Sequence, residues 1–345
     1  VILPATLPPQ PWAATPAGAA LLDALDASAG TTRLVGGAVR DALLGLTGAD
    51  IDLATQFPPD EVMRRVAAAG LKAVPTGLAH GTVTAVGAGL STEITTLRRD
   101  LEPDGRHARV VFTDAWEEDA SRRDFTVNAL YAALPDGAIS DFFGGIADLG
   151  ARRVRFIGAP LQRIAEDHLR ILRFFRFSAR FAASIDADGL AACAARANDL
   201  MALSRERIAG ELKGLLLVAD PVAVLAQMLE HGIWRPVLPE FSADGLAVLA
   251  RTIAAEAATA QPADWRRRLA ALLPRDAAIA DQVCARLRLS NADRARVVHA
   301  VQPLPGAALL AAAWAEGAQT ILDRLLIAGE TGADVALLLA WQRPR

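Results

Sequence analysis

The chain has 345 residues, 52% of them hydrophobic and 22% charged, with a net charge of −3. That balance excludes a disordered chain, and the length exceeds one ordinary core, so two or more domains are expected. No run of 18 or more uncharged apolar residues occurs, so no membrane-spanning helix and no membrane partner are expected.

The Pro-rich opening VILPATLPPQPW has no basic n-region and does not read as a signal peptide. Residues 1–30 are assigned as an N-terminal extension with a first helix. From there to 157 the pattern is mixed α and β. TRLVGG reads as a short strand, AVRDALLG as a helix, and DIDLAT as an edge-like strand. GTVTAVGAG and STEITTLR alternate like a hairpin with Gly at the break. RRDLEPDGRHAR, residues 98–109, carries Pro, Gly and many charges and reads as a mobile loop. VRFIGAP, at 154–160, reads as a last strand or crossover.

Beyond Pro160 helical periodicity takes over. Helices are expected near 161–181, 186–198, 204–218, 221–231, 243–258, 264–273, 276–287 and 290–301, with three more before the end. The fold class is α+β: a mixed-sheet head at 31–157, a helical neck at 158–218, and a helical body and tail at 219–345.

Charge is unevenly spread. Lys72 and Lys213 are the only lysines, and Arg152 to Arg180 holds eight arginines against Glu166 and Asp167. Arginine's planar fork suits phosphates and base edges, so this stretch fits a nucleotide or nucleic-acid face; a solvated helix surface fits the charge equally well. Cys193 and Cys284 stand outside any metal-ligand spacing, and a reducing cytoplasm is the expected location.

Four stretches carry possible chemistry. Gly36, Gly37 and Arg40 join a strand to a helix, where backbone can approach a phosphate closely; taken alone, a plain turn is the favoured reading. Asp50 and Asp52, two apart on a strand, point to one face, and such a pair suits Mg²⁺ shared with phosphate oxygens. Glu93 offers a third carboxylate from a neighbouring strand. SRRDFTVNAL, residues 121–130, fits an S-x-x-D capping box at Ser121 and Asp124; Arg122 and Arg123 could clamp a triphosphate, and Asp124 or Asn128 a ribose. Lastly, Asp167, Arg170, Arg173 and Arg176 recur every third residue along an expected helix. An Asp–Arg pair there can read the amine edge of cytosine or adenine and reject uracil and guanine; an intrahelical salt bridge is the structural alternative.

In this order the motifs resemble the class II tRNA nucleotidyltransferases (CCA-adding enzymes) and the related bacterial poly(A) polymerases. LVGGAVRDALLG…DIDLAT is similar to the family's first motif, RRDFTVNA to its second, EDHLRILRFFRF to its nucleotide-templating motif, and RERIAGEL (205–212) to the helix-stabilising motif that follows. The resemblance runs from about residue 33 to 215, and beyond that it is one of helical character only. It implies a polymerase-beta-like head and the addition of C, C and A to the tRNA 3′ end from CTP and ATP, without a nucleic-acid template and with release of pyrophosphate.

Residue by residue, the resemblance makes Asp50 and Asp52 ligands of two Mg²⁺ ions and Glu93 the third catalytic carboxylate. Gly36, Gly37 and Arg40 would hold triphosphate. Arg122, Arg123, Asp124 and Asn128 would hold phosphate and ribose, and Asp167 and Arg170, backed by Arg173 and Arg176, would read the base. The loop at 98–109 would serve the terminal A. The five histidines include no His-Asp pair, which argues against an attached phosphohydrolase domain. The chain stops at WQRPR, where similar sequences often continue, so a truncated tail is expected. No protein partner is expected. The alternatives are a poly(A) polymerase, a partial CC- or A-adding enzyme and, more remotely, a non-catalytic RNA-binding relative.

Overall fold

A computed structural model describes residues 3–4, 6–46, 50–101, 109–134, 136–302 and 318–328. It divides into two compact units, 1–167 and 168–345.

The first unit is built on a mixed seven-stranded sheet. After helix α1 (Pro16–Ala24) come strand β1 (Thr32–Val35), helix α2 (Gly37–Leu43), strand β2 (Ile51–Thr55) and helix α3 (Pro59–Ala68). Strands β3 (Lys72–Gly77), β4 (Thr82–Gly87) and β5 (Leu90–Thr96) follow. Strands β6 (Arg98–Leu101) and β7 (Arg109–Phe112) form a separate ladder. Helix α4 (Trp116–Ser121), strands β8 (Leu130–Ala133) and β9 (Ile139–Asp141), and helices α5 (Gly145–Gly150) and α6 (Pro160–Glu166) complete the unit. The sheet order is β3-β4-β5-β2-β1-β8-β9. The expected hairpin is β4–β5, turning at Ala88 and Gly89 with φ of 48° and 79°. Alternation sets its faces: Leu90, Thr92, Ile94 and Thr96 of β5 are buried while Ser91 and Glu93 face out.

Three expectations need correction. DIDLAT is a central strand, paired on one side with β1 and on the other with β5. Its polar start suggested an edge, but Leu53, Ala54 and Thr55 are buried. VRFIGAP forms no strand and contributes only an isolated bridge, Phe125 to Phe156. The stretch 98–109 is laddered at both ends, from Arg98↔Phe112 to Leu101↔Arg109; residues 102–108 lie outside those described.

The second unit is helical. It comprises α7 (Arg170–Phe181), α8 (Ala187–Ala195), α9 (Arg205–Leu216), α10 (Val222–Glu230), α11 (Ala243–Ala258), α12 (Trp265–Leu272), α13 (Ala277–Arg286), α14 (Asn291–Ala300) and α15 (Ala318–Ala328). Side-chain caps mark the starts: Asp186, Ser204, Ser242, Asp264, Asp276 and Ser290 each accept a backbone N–H of the first turn. The other expected C-terminal helices and WQRPR lie outside the described residues. No described helix is long and apolar enough to cross a membrane.

Candidate active site

Two carboxylates, Asp52 and Glu93, stand side by side at the centre of the sheet. The parallel β2–β5 register sets Asp52 opposite Glu93, so their side chains share a face on strands roughly 5 Å apart. Asp50 is exposed just before β2. Burial, reinforced by the charges of Glu93 and Asp50 and opposed by Arg123, raises the Asp52 pKa to about 6. Among the described residues no trio of His, Cys, Asp or Glu forms a ready-made metal cage. The donor set suits Mg²⁺ nonetheless, because that ion takes one or two carboxylates and completes its shell with phosphate oxygens and water.

Beside the carboxylates the chain turns at Gly36, the residue before α2, with φ of 62°. A Cβ there would lie 3.1 Å from an Arg123 Nη and 3.3 Å from the Asn128 carbonyl oxygen, so both conformation and space call for glycine. The Gly36 N–H donates to the Leu130 carbonyl at 2.9 Å, tying the turn to β8. Arg40 is 4% exposed: it pairs with Asp41 at 2.8 Å and donates to the Asn128 side-chain oxygen. Asn128 Nδ2 donates to Asp124 Oδ1 at 2.9 Å. Arg40, Asn128 and Asp124 are thus brought together as one buried chain under the Gly36–Gly37 turn.

The S-x-x-D capping box is not formed. Ser121 ends α4 and donates to the Glu118 carbonyl, and Asp124 accepts the Phe125 N–H instead.

Asp119, missed in the sequence, organises the arginine pair. It accepts Arg122 Nε at 2.9 Å, Arg123 Nη2 at 3.0 Å, the Tyr131 hydroxyl at 2.7 Å and the Arg98 backbone N–H at 3.2 Å. Burial alone would raise its pKa, but Arg123 and Arg122 hold it well below the usual carboxylate range. The signal was available: Asp119 precedes the two arginines by three and four residues, one helical turn. A second missed anchor, the fully buried Asp148, accepts Thr126, Arg153 and Arg155 side chains and occupies part of the arginine-rich stretch.

The templating stretch is two helices, not one. Helix α6 ends at Glu166, Asp167 is extended with φ of −150° and ψ of 106°, and α7 begins at Arg170. The i+3 periodicity continues across the break, which is why the sequence read as continuous. The division between the two compact units falls at this break. On α7, Arg176 Nε donates to Glu211 of α9 at 2.6 Å, and Arg173 lies 3.7 Å from the same carboxylate. A Cβ on Gly214 would meet Arg176 Cδ at 2.7 Å, so RERIAGEL and the glycine after it shape the seat of Arg176.

Comparison with known proteins agrees with this geometry. Residues 32–155 match the family described as "Poly A polymerase head domain", and residues 184–244 match "Probable RNA and SrmB- binding site of polymerase A". The mitochondrial CCA tRNA nucleotidyltransferase 1 of Danio rerio is 43% identical over 205 residues, 58% of this chain and 47% of that protein. The CCA-adding enzyme of Levilactobacillus brevis is 38% identical over 210 residues, 60% of this chain and 51% of that one. The crystal structure of the Bacillus stearothermophilus CCA-adding enzyme in complex with CTP superposes with a TM-score of 0.65 at 28% identity, covering 94% of this chain and 82% of that one. The head, residues 32–155, belongs to the poly(A) polymerase head-domain family. The chain spans about half the length of the curated relatives it matches.

Proposed function

We propose that the protein adds CCA to the 3′ end of tRNA from CTP and ATP by Mg²⁺-dependent nucleotidyl transfer, releasing pyrophosphate and using no nucleic-acid template. The observation that carries this reading is the convergence of Asp52, Glu93, Gly36 and Arg123 in the first unit. The likeness to CCA-adding enzymes supports the choice of substrate over poly(A) addition.

In this mechanism Asp50 and Asp52 would hold the metal ions, which would supply activation of the tRNA hydroxyl and neutralisation of charge on the pyrophosphate. Glu93 adds negative charge beside Asp52 and keeps the site selective for cations. The Gly37 N–H, at the N-terminus of α2, donates to the triphosphate, with Arg122 and Arg123 as cationic donors. Arg40 acts behind this surface by fixing Asn128, which with Asp124 faces the ribose. Asp167 and Arg170 select the base through its exocyclic amine, supported by Arg173 and Arg176. The protein itself therefore selects the nucleotide. A cytoplasmic location accompanies this reading.

The test is Asp52→Ala. Nucleotide addition should fall on the order of 10³-fold or more, while tRNA affinity, measured by equilibrium binding, changes little. Equal loss of both would contradict the role as a metal ligand.

A further inference from the structure

Arg122 and Arg123 are useful to a triphosphate only if their forks are aimed, since bidentate anion recognition depends on fixed geometry. Long arginine side chains do not aim themselves; something must remove their rotamer freedom. In this protein one carboxylate does so. Asp119 Oδ1 accepts Arg122 Nε and the Arg98 N–H at the start of β6, and Asp119 Oδ2 accepts Arg123 Nε, Arg123 Nη2 and the Tyr131 hydroxyl. Each guanidinium is gripped at its Nε edge. Tyr131 is itself fixed: its hydroxyl also accepts Arg123 Nε at 3.0 Å, and its ring packs edge-on against Trp116 at 5.3 Å. Asp119 is 1% exposed and Tyr131 fully buried, so neither is placed to meet substrate directly.

We propose that Asp119, locked by Tyr131 and the Arg98 backbone, is the positioning residue that aims the Arg122–Arg123 pair at the incoming triphosphate. The inference rests on the functional reading above for the identity of the anion. It separates two effects that pull in opposite directions. Removing the carboxylate leaves two arginine charges uncompensated, which by charge alone would tighten binding of an anion. Losing the aim weakens it. Both guanidinium groups are held by Asp119 at Nε, and Arg123 is held again at Nη1 by the Asn128 carbonyl, so alignment is the larger effect.

The experiment compares wild type, Asp119→Asn, Asp119→Glu and Tyr131→Phe on full-length protein. Equilibrium binding of CTP and ATP, steady-state KM and kcat, and ¹⁵Nε–H NMR of the arginine side chains are the readouts. Asp119→Asn should raise the nucleotide KM about tenfold or more, as expected for losing charge-assisted hydrogen bonds, with tRNA KM unchanged. Tyr131→Phe, which keeps the ring and its packing, should raise nucleotide KM about threefold. Asp119→Glu should recover part of the Asp119→Asn loss. In the NMR spectrum the slowly exchanging Arg122 and Arg123 Nε–H signals should broaden or exchange quickly in Asp119→Asn.

Unchanged or lower nucleotide KM in folded Asp119→Asn would overturn the proposal. Where Asp119→Asn does not fold, Tyr131→Phe decides: an unchanged KM with unchanged Nε–H exchange overturns the proposal equally. A wild-type protein that binds neither CTP nor ATP would refute the functional reading, and the Nε–H exchange would still judge whether Asp119 holds the pair.

Discussion

Asp52 is held at a cost to the fold. Its pKa of about 6 stands above the ordinary value of 3.8, so between about pH 4 and 6 the native state keeps a proton that the unfolded chain has lost. The contribution of Asp52 to stability is therefore fully present below that window and is lost as the pH rises through about 6. In the presence of chelator, Asp52→Asn should raise Tm at pH 7.5 relative to wild type and leave it unchanged near pH 4. Adding Mg²⁺ should raise the wild-type Tm and move the variant little. A variant no more stable at pH 7.5 would mean that the carboxylate cluster is not strained. At the base-reading position, Asp167→Ala should relax discrimination against UTP in competition assays, and unchanged selectivity would refute the templating role.

At the level of elements, the site depends on a few backbone features and the helices that back them. Gly36→Ala meets both a positive φ and the Arg123 guanidinium, and should cost about 1–3 kcal/mol of stability, measurable by denaturant unfolding. Deleting residues 100–106 should spare C addition and stop A addition; loss of both would assign the stretch to the fold of the head. Much of this was legible in the sequence because it rests on local pattern. The β4–β5 hairpin follows from alternation and a Gly-marked turn, and α11 from its periodicity. The central position of β2 was not legible, since strand order is decided by non-local pairing with β1 and β5. The break at Asp167 was hidden for a related reason: neither proline nor glycine marks it, and the arginine spacing carries straight across. Of the site, the placement of Asp52 and Glu93 on neighbouring strands was legible from type and spacing. Asp119 was not, because it works on arginines outside any motif, and Glu211, though inside RERIAGEL, shows its role only through its contacts across to α7.

On the scale of the whole chain, the first unit carries Asp52, Glu93 and the Arg122–Arg123 pair, and the second is helical with its own buried polar centre. There Glu256 of α11 pairs with Arg267 at 2.8 Å and Arg268 at 2.7 Å of α12, and Arg267 and Arg296 meet Asp323 of α15 at 3.1 and 2.8 Å. Glu256 is 2% exposed, so Glu256→Ala leaves two buried guanidinium groups short of charge and should destabilise the protein by about 3–5 kcal/mol. A loss under about 1 kcal/mol by denaturant unfolding would show that the network is hydrated in solution.

Product sequencing tests the proposed CCA addition. A tRNA transcript lacking its 3′ CCA is incubated with the purified protein, Mg²⁺, CTP and ATP, beside an unstructured RNA of similar length. A single CCA on the tRNA and no addition to the unstructured RNA are expected. A run of A on either RNA, or products that stop at CC, would contradict it.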